Sequence, residues 1–336
     1  MNSNPTISIL MPVKNTAPFL NECLDSIINQ SETDFELIAI DDHSTDESYS
    51  ILKGFELKDK RVKVFKNLGI GIIEALRFAY SKSSGNYISR MDADDVMSLD
   101  KLAVLKYNLI AFGSGHIASG KVKYFSATPL GAGFKNYELW LNSLIEKGTN
   151  FEGIYKECVI PSPCWMVYRE DLEKCQAFYP DKYPEDYDLA FRFYKEGLKA
   201  IACSKVLHHW RDYATRTSRT HVHYADHTFL DIKMNYFLEL DRDTTKKLVV
   251  WGAGDKGKKV AKILIAQNIK FTWICDNPKK ISKDIYGQIL YPLTALDTIE
   301  NSQSIITVAN LKAQIEIKLH FEERNLILNK DYFFFC

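Results

Sequence analysis

Short apolar runs along this chain alternate with longer segments in which apolar residues return every three or four positions, and the alternation predicts strands and helices in turn. Residues 6–13, Thr-Ile-Ser-Ile-Leu-Met-Pro-Val, are β-rich and stopped by a proline, as a buried parallel strand is. Phe19, Leu20, Cys23, Leu24, Ile27 and Ile28 then fall on one helical face. A strand over 35–40, a helix over 46–55, a strand over 62–65, a helix over 72–81, a strand over 87–90, a helix over 99–112 and a strand over 122–127 continue the order. Such alternation predicts an α/β fold with a mostly parallel sheet flanked by helices. In sheets of this kind ligands bind beyond the carboxyl ends of the strands.

Between 113 and 151 glycines are frequent and the periodicity weakens, apart from a helical pattern over 137–145, so a mobile or substrate-shaping segment is expected there. Residues 158–169 form a proline-broken apolar run, read as a loop feeding a strand. A helix opens at Tyr183-Pro184-Glu185-Asp186-Tyr187-Asp188, where a proline and first-turn acids are good helix-start chemistry. A strand over 199–203 and the polar run His208-His209-Trp210-Arg211 follow, then a helical pattern over 224–240. Residues 241–247 carry no apolar side chain and read as a linker. A second α/β unit starts at 248: a strand over 248–251, a glycine-rich turn, a helix to 268, strands over 271–275 and 304–308, a helix over 311–325 and a last strand over 332–335. The expected domains are 1–222, a helix and linker over 223–245, and 246–336.

Composition adds bounds. A chain of 336 residues fits two domains, and 46% hydrophobic with 26% charged content excludes disorder. Basic and acidic residues balance at 43 each, which gives no reason to expect a nucleic-acid partner. The seven cysteines are scattered without a C-x-x-C pair, which predicts free thiols in a reducing compartment and neither a disulfide framework nor a zinc site. Residues 1–5 lack signal-peptide chemistry and no run approaches the ~20 apolar residues of a membrane span. A cytoplasmic enzyme is expected, with any membrane association peripheral at the inner face.

The chemistry concentrates in Arg90-Met91-Asp92-Ala93-Asp94-Asp95, three carboxylates within four residues behind a strand. Crowded carboxylates resist ionising together. A hard divalent cation answers that crowding, because Mg2+ and its relatives take one or two carboxylates and leave other positions to water and phosphates. Asp is also favoured at turns and helix N-caps, and on this stretch alone both readings stand. Glu185 and Asp186 carry the same alternative, since acids cap helices. His208 and His209 could add a metal ligand, with a polar strand end the favoured reading; His221, His223 and His227 have metal-compatible spacing but read as surface residues. Trp140 and Trp165 could stack on a sugar ring or fill a core. In the second unit, Gly252-x-Gly254-x-x-Gly257 follows a strand and opens a helix, the context of a dinucleotide fingerprint, and Asp276 ends the next strand, where an acid meets a ribose. An NAD(P) site is therefore a candidate there. No catalytic His, Lys or Tyr constellation follows, so binding or assembly is favoured over hydride transfer.

Five motifs in order give the first 220 or so residues a resemblance to the family 2 glycosyltransferases, the inverting group with a GT-A fold. Ile9-Leu10-Met11-Pro12-Val13-Lys14-Asn15 is similar to the opening strand and loop of that family, and Ile40-Asp41-Asp42-His43-Ser44-Thr45-Asp46 to its nucleotide-binding turn. Gly85 to Asp95 resembles its G-x-Y-I-x-R-x-D-A-D-D run with the D-x-D metal motif; Glu185-Asp186 resembles its catalytic E-D, and Trp210-Arg211 its Y-R. The resemblance implies a GT-A nucleotide-diphospho-sugar transferase fold with a small Rossmann-like domain behind it. It implies transfer of a sugar from a nucleotide sugar, UDP-linked by preference, to a hydroxyl of a glycan or lipid-linked acceptor in bacterial polysaccharide or lipopolysaccharide synthesis. By the same resemblance Asp42 contacts the uracil with Pro12 and Asn15 in the pocket, and Asp92 faces the ribose or the metal. Asp94 ligates Mn2+ or Mg2+, Asp186 is the general base, Arg211 holds the diphosphate, and Glu185 and Trp165 lie on the acceptor side. Arg77, Ala79 and Leu99 depart from the family pattern, and 111–157, where acceptor choice tends to reside, matches none of it.

Overall fold

Strand and helix alternate in the computed structural model in the order the hydrophobic pattern predicts, and the structure describes residues 5–216, 219 and 229–336. Two units emerge, Met1–Phe151 with Cys158–Arg216, and Glu152–Glu157 with Thr217–Cys336. The second unit thus takes in the 223–245 region read as helix and linker, and it also recruits a short piece from the middle of the chain.

In the first unit, β1 (Ile7–Val13), α1 (Ala17–Ile28), β2 (Phe35–Asp41), α2 (Ser48–Lys58), β3 (Val62–Lys66), α3 (Ile72–Lys82) and β4 (Tyr87–Arg90) follow one another. After them come β5 (Val96–Met97), α4 (Lys101–Phe112), β6 (His116–Ser119), β7 (Lys121–Phe125), α5 (Ala132–Lys147), β8 (Trp165–Tyr168), α6 (Arg169–Lys174), α7 (Glu185–Lys195), β9 (Lys199–Ile201) and β10 (Val206–Arg211). One sheet has the order β3-β2-β1-β4-β8-β6-β9 and a smaller one β5-β10-β7. β1 to β4 are parallel, β8 runs antiparallel between β4 and β6, and every residue of β2 is buried. The chain steps outward from β1 to β2 and β3 and then returns to the other side of β1 with β4, so the strand order reverses between β1 and β4. That switch point is where an open α/β sheet leaves a crevice. The register shows the crevice opening: β1 pairs with β2 up to Val13↔Asp41, but with β4 only up to Leu10↔Arg90. Pro12 lies beyond that last β4 pairing.

The 113–151 segment, expected to be mobile or substrate-shaping, carries regular structure: β6, β7 and α5, which starts at Ala132 and ends at the left-handed Gly148 (φ 68°). Gly113 and Gly115, both at positive φ, turn the chain from α4 into β6, and it was these glycines that masked a four-residue strand in the sequence.

The second unit holds α8 (Leu230–Tyr236), continued by a π-helical turn at Phe237–Asp241, then β11 (Lys247–Trp251), α9 (Asp255–Ala266), β12 (Thr272–Ile274), β13 (Asp284–Ile285), β14 (Gln288–Tyr291), β15 (Ser302–Ile306), α10 (Leu311–Glu322) and β16 (Tyr332–Phe334). Its sheet order is β13-β14-β12-β11-β15-β16, parallel except for the β13 edge. Val249, Trp251, Ile274, Ile306, Phe321 and Tyr332 form its core. Tyr155 stacks on Phe335 (centroids 5.2 Å apart, 8° between planes) and meets Phe237 and Phe333 edge-on. The polar 241–247 stretch is not a loose linker: Gln303 of β15 donates to the Asp241 carbonyl (2.7 Å) and accepts from the Asp243 N–H (3.1 Å). No helix among the described residues is long and apolar enough to cross a membrane.

Candidate active site

The carboxyl ends of β1, β2 and β4 carry the polar clusters of the first unit. Two loops are laced together first. Asn15, at φ 52°, accepts the Thr45 N–H on its Oδ1 (2.8 Å), Ser48 Oγ accepts the Thr16 N–H (2.9 Å), and Asp46 accepts the N–H groups of Ala17 (3.0 Å) and Ser48 (2.9 Å). Asn15 therefore bridges the β1 and β2 loops. Next to it, the buried Asp42 accepts from Asn67 Nδ2 (2.7 Å), the Gly71 N–H (3.0 Å) and Lys14 Nζ (3.2 Å). Burial opposes ionisation of Asp42, but these donors hold its carboxyl below the ordinary value. Gly71 is at φ 96°, where glycine is at ease and other residues are strained.

At the end of β4, Arg90 is buried and forks between two carboxylates, Asp92 (Nη2 to Oδ1, 3.1 Å) and Glu185 (Nη1 to Oε1, 2.9 Å). It ties the carboxylate turn to the first turn of α7, where Asp186 follows Glu185. The sequence pattern assigned Arg90 no role; a lone basic residue directly before crowded acids was the signal. Burial first, and then the charge of Glu185, raise the Asp186 carboxyl well above the usual carboxylate range, with Arg90 opposing. Asp94 is partly buried and its carboxyl is pushed up to about 6, by burial and then by Asp95 and Asp92. Tyr213 donates its hydroxyl to Asp94 Oδ2 (2.9 Å); burial pushes the Asp95 carboxyl up as well, and the charge of Arg216 opposes the rise at both Asp94 and Asp95. Neither Tyr213 nor Arg216 belongs to a sequence motif.

Several expected roles change. Trp165, an acceptor-side candidate, is 2% exposed in β8, edge-on to Phe193, so it has no face to offer a sugar. Trp140 packs beside Tyr137, partly buried against the core. Glu185, the other acceptor-side candidate, is 8% exposed and spends its charge on Arg90. The Arg211 guanidinium, expected at a diphosphate, donates to the Asp94 carbonyl (2.8 Å) and to Glu22 (2.5 Å) and lies against the rings of Phe19 and Phe125. Asp95, the last of the three crowded carboxylates, is fully buried and paired with His208. His209 lies 3.5 Å from Ser98 Oγ and edge-on to the Phe125 ring, and His221, His223 and His227 lie outside the described residues.

Does this donor set fit a divalent cation? Among the described residues no three side chains of His, Cys, Asp and Glu are arranged to hold a metal by themselves. Asp92 and Asp94 offer two carboxylates, one of them reluctant to ionise unless a cation is near, and this suits an Mg2+- or Mn2+-type site completed by substrate phosphates and water.

In the second unit the three glycines are used differently. Gly252 (φ 114°) closes the turn after β11 and its carbonyl accepts from Trp273 Nε1 (2.8 Å). A β-carbon on Gly257 would lie 2.1 Å from that same carbonyl oxygen, so α9 packs directly on the turn. Gly254, at the N-cap of α9, has open space beside it and no side chain capping the helix. Asp276 is exposed just after β12.

The model of the family described as glycosyl transferase family 2 matches residues 8–176, half of the chain. An uncharacterized glycosyltransferase of Haemophilus influenzae is 44% identical over 99 residues, covering 29% of this chain and 40% of that protein. A second uncharacterized glycosyltransferase of the same organism is 28% identical over 253 residues, covering 71% of this chain and 76% of its own length. Among solved structures, S. aureus TarS 1-349 in complex with UDP-GlcNAc superposes with a TM-score of 0.55 at 17% identity, covering 71% of this chain and 68% of that one. The α/β architecture with its mostly parallel sheet is that of a GT-A nucleotide-sugar transferase.

Proposed function

The chain belongs to glycosyl transferase family 2, and from that premise we propose that this glycosyltransferase moves a sugar from a nucleotide sugar to an acceptor hydroxyl, with inversion, at the crevice between β1 and β4. The observation that carries the reading is the bridge from Asp92 through Arg90 to Glu185, which joins a carboxylate pair at the switch point to the raised carboxyl of Asp186. Asp42, with Pro12 and Asn15 beside it, receives the base of the donor, uracil by preference. Asp94 and Asp92 hold a divalent cation, Mn2+ or Mg2+. Bound there, such an ion offsets negative charge developing on the departing nucleoside diphosphate. Asp186 takes the proton of the acceptor hydroxyl as that oxygen attacks the anomeric carbon from the face opposite the leaving group, and a single displacement inverts the centre. A carboxyl raised toward neutrality suits that task better than an ordinary one. Arg90 keeps Asp186 within reach of the donor by fixing its neighbour Glu185, and the Arg211 guanidinium supports the Asp94 peptide.

The acceptor belongs to the glycan or lipid-linked class, in bacterial surface polysaccharide or lipopolysaccharide synthesis, with the protein working peripherally at the inner face of the membrane. Incubation with a panel of nucleotide sugars, UDP-GlcNAc among them, with and without Mn2+, tests the core of the reading. Nucleoside diphosphate release should need the metal and vanish in Asp94→Ala; release that is indifferent to both rules the reading out.

A second reading concerns the second unit, a small Rossmann-like domain in this proposal. The close packing of Gly257 on Gly252 and the open backbone at Gly254 favour a nucleotide phosphate at the start of α9, with Asp276 toward a ribose. Titration with NAD(H) and NADP(H) checks it: binding that Gly254→Val abolishes supports the site, and no binding removes it.

A further inference from the structure

Beneath the carboxylate turn lies a second polar group that the transfer reaction does not use. Asp95, His208 and Lys101 are each fully buried, and they come from three places: the turn after β4, strand β10 and the first residue of α4. Lys101 Nζ lies 2.5 Å from the Pro163 carbonyl and 3.2 Å from His208 Nδ1. A lysine ammonium has only hydrogens to give, so Nδ1 is the acceptor and the imidazole proton sits on Nε2. That Nε2–H donates to Asp95 Oδ2 at 2.9 Å. Asp95 Oδ1 accepts the Arg211 backbone N–H at 2.8 Å, and the same arginine's Nε–H reaches the Asp94 carbonyl at 2.8 Å. A continuous line of hydrogen bonds therefore runs from the Pro163 loop to the peptide that carries the Asp94 side chain.

Both nitrogens of His208 are spent within this line, so it is no metal ligand. Burial, with Lys101 beside it, holds the imidazole neutral, its pKa well below the usual histidine value. Burying an ammonium and a carboxylate costs several kcal/mol per ion in general, and apolar residues of similar volume would pack such a site at least as well. What a satisfied buried network adds is a single geometry. We propose that Lys101 and His208 are positioning residues which, through Asp95, fix the 92–95 turn so that Asp94 presents its carboxylate to the divalent cation. This rests on reading Asp94 as a ligand of that cation.

The test uses the full chain, stripped of metal. Mn2+ binding in the presence of UDP is read by electron paramagnetic resonance, and nucleoside diphosphate release is followed over a Mn2+ titration. His208→Ala and Lys101→Met should each weaken Mn2+ binding about 10- to 100-fold, the usual effect of removing an outer partner of a ligand, with a much smaller loss of rate at saturating Mn2+. His208→Gln returns an N–H donor to Asp95 and should recover binding to within a few-fold of wild type by the same reasoning. Leu109→Ala, which removes a fully buried side chain elsewhere in this unit, lowers stability and serves as the control. Unchanged Mn2+ affinity in Lys101→Met, or an equal loss in Leu109→Ala, overturns the proposal even where His208→Ala fails to fold. Wild-type Mn2+ binding retained by Asp94→Ala would instead overturn the metal reading on which it stands, and the two failures are told apart by that variant alone.

Discussion

Replacing Asp186 by asparagine should make the protein more stable at alkaline pH while abolishing transfer. Burial and Glu185 push its carboxyl up to about 7, against about 3.9 for an unfolded aspartate. The folded state therefore holds a proton that the unfolded state has lost between those values. Stability from this group is greatest below about pH 4, falls as the pH rises through the window, and is at its lowest above about pH 7. Roughly three units at about 1.4 kcal/mol each set a ceiling of about 4 kcal/mol near pH 8. The side chain keeps some contact with water, which brings the expected gain of Asp186→Asn to about 1–2 kcal/mol, since solvent near a charge screens it strongly. At about pH 4 the gain should disappear. Urea titrations at both pH values, with hydrogen exchange read on peptides of β4 and α7 so that the first unit is followed by itself, measure the difference. In the same variant transfer should fall by about 100- to 10,000-fold with donor affinity kept, and wild-type kcat/KM should drop as the pH falls through about 7. An asparagine variant that is less stable near pH 8, or whose stability difference does not vary with pH, refutes the reasoning.

Arg90→Met leaves Asp92 and Glu185 without their shared cation, and a loss of about 3–5 kcal/mol is expected from chemical denaturation. Gly257→Ala drives a β-carbon into the Gly252 carbonyl, 2.1 Å away, and should destabilise the second unit by about 1–3 kcal/mol or more, seen as faster hydrogen exchange in β11 and β15. Trp165→Ala should cost about 3–5 kcal/mol as a core truncation, whereas Trp165→Phe should leave the acceptor KM where it is; a raised KM would return this ring to the acceptor side.

Much of the fold was legible because each parallel strand is a compact apolar run and each connecting helix repeats its buried face: Leu20, Cys23, Leu24 and Ile27 are all fully buried on α1. What escaped was structure without such a signature. β6 is four residues between glycine turns, and β13 and β14 are a short hairpin with a mostly exposed face. In the site, the acidic motifs announced themselves through crowding of like charge. Their partners did not announce their roles: Tyr213 and His208 come from distant segments, and even the nearby Arg90 and Lys101 become meaningful only through the distances that the topology creates. The same limit explains Arg211 and Trp165: residue type suggested phosphate and sugar, while the local surroundings had already engaged one and enclosed the other.

Residues 152–157 pack with the second unit yet are synthesised before the last part of the first. During translation the rings that Tyr155 meets in the finished fold, Phe237, Phe333 and Phe335, arrive only after 158–216 have emerged. Domains generally fold as units in order of synthesis, and this chain breaks that order with one short detour. The practical outcome concerns gene fragments. A fragment covering 217–336 lacks the ring that stacks on Phe335, and one covering 1–216 carries Tyr155 without the rings of Phe237, Phe333 and Phe335. Separating the units cleanly means supplying 152–157 to the second as a peptide or grafting it onto that fragment.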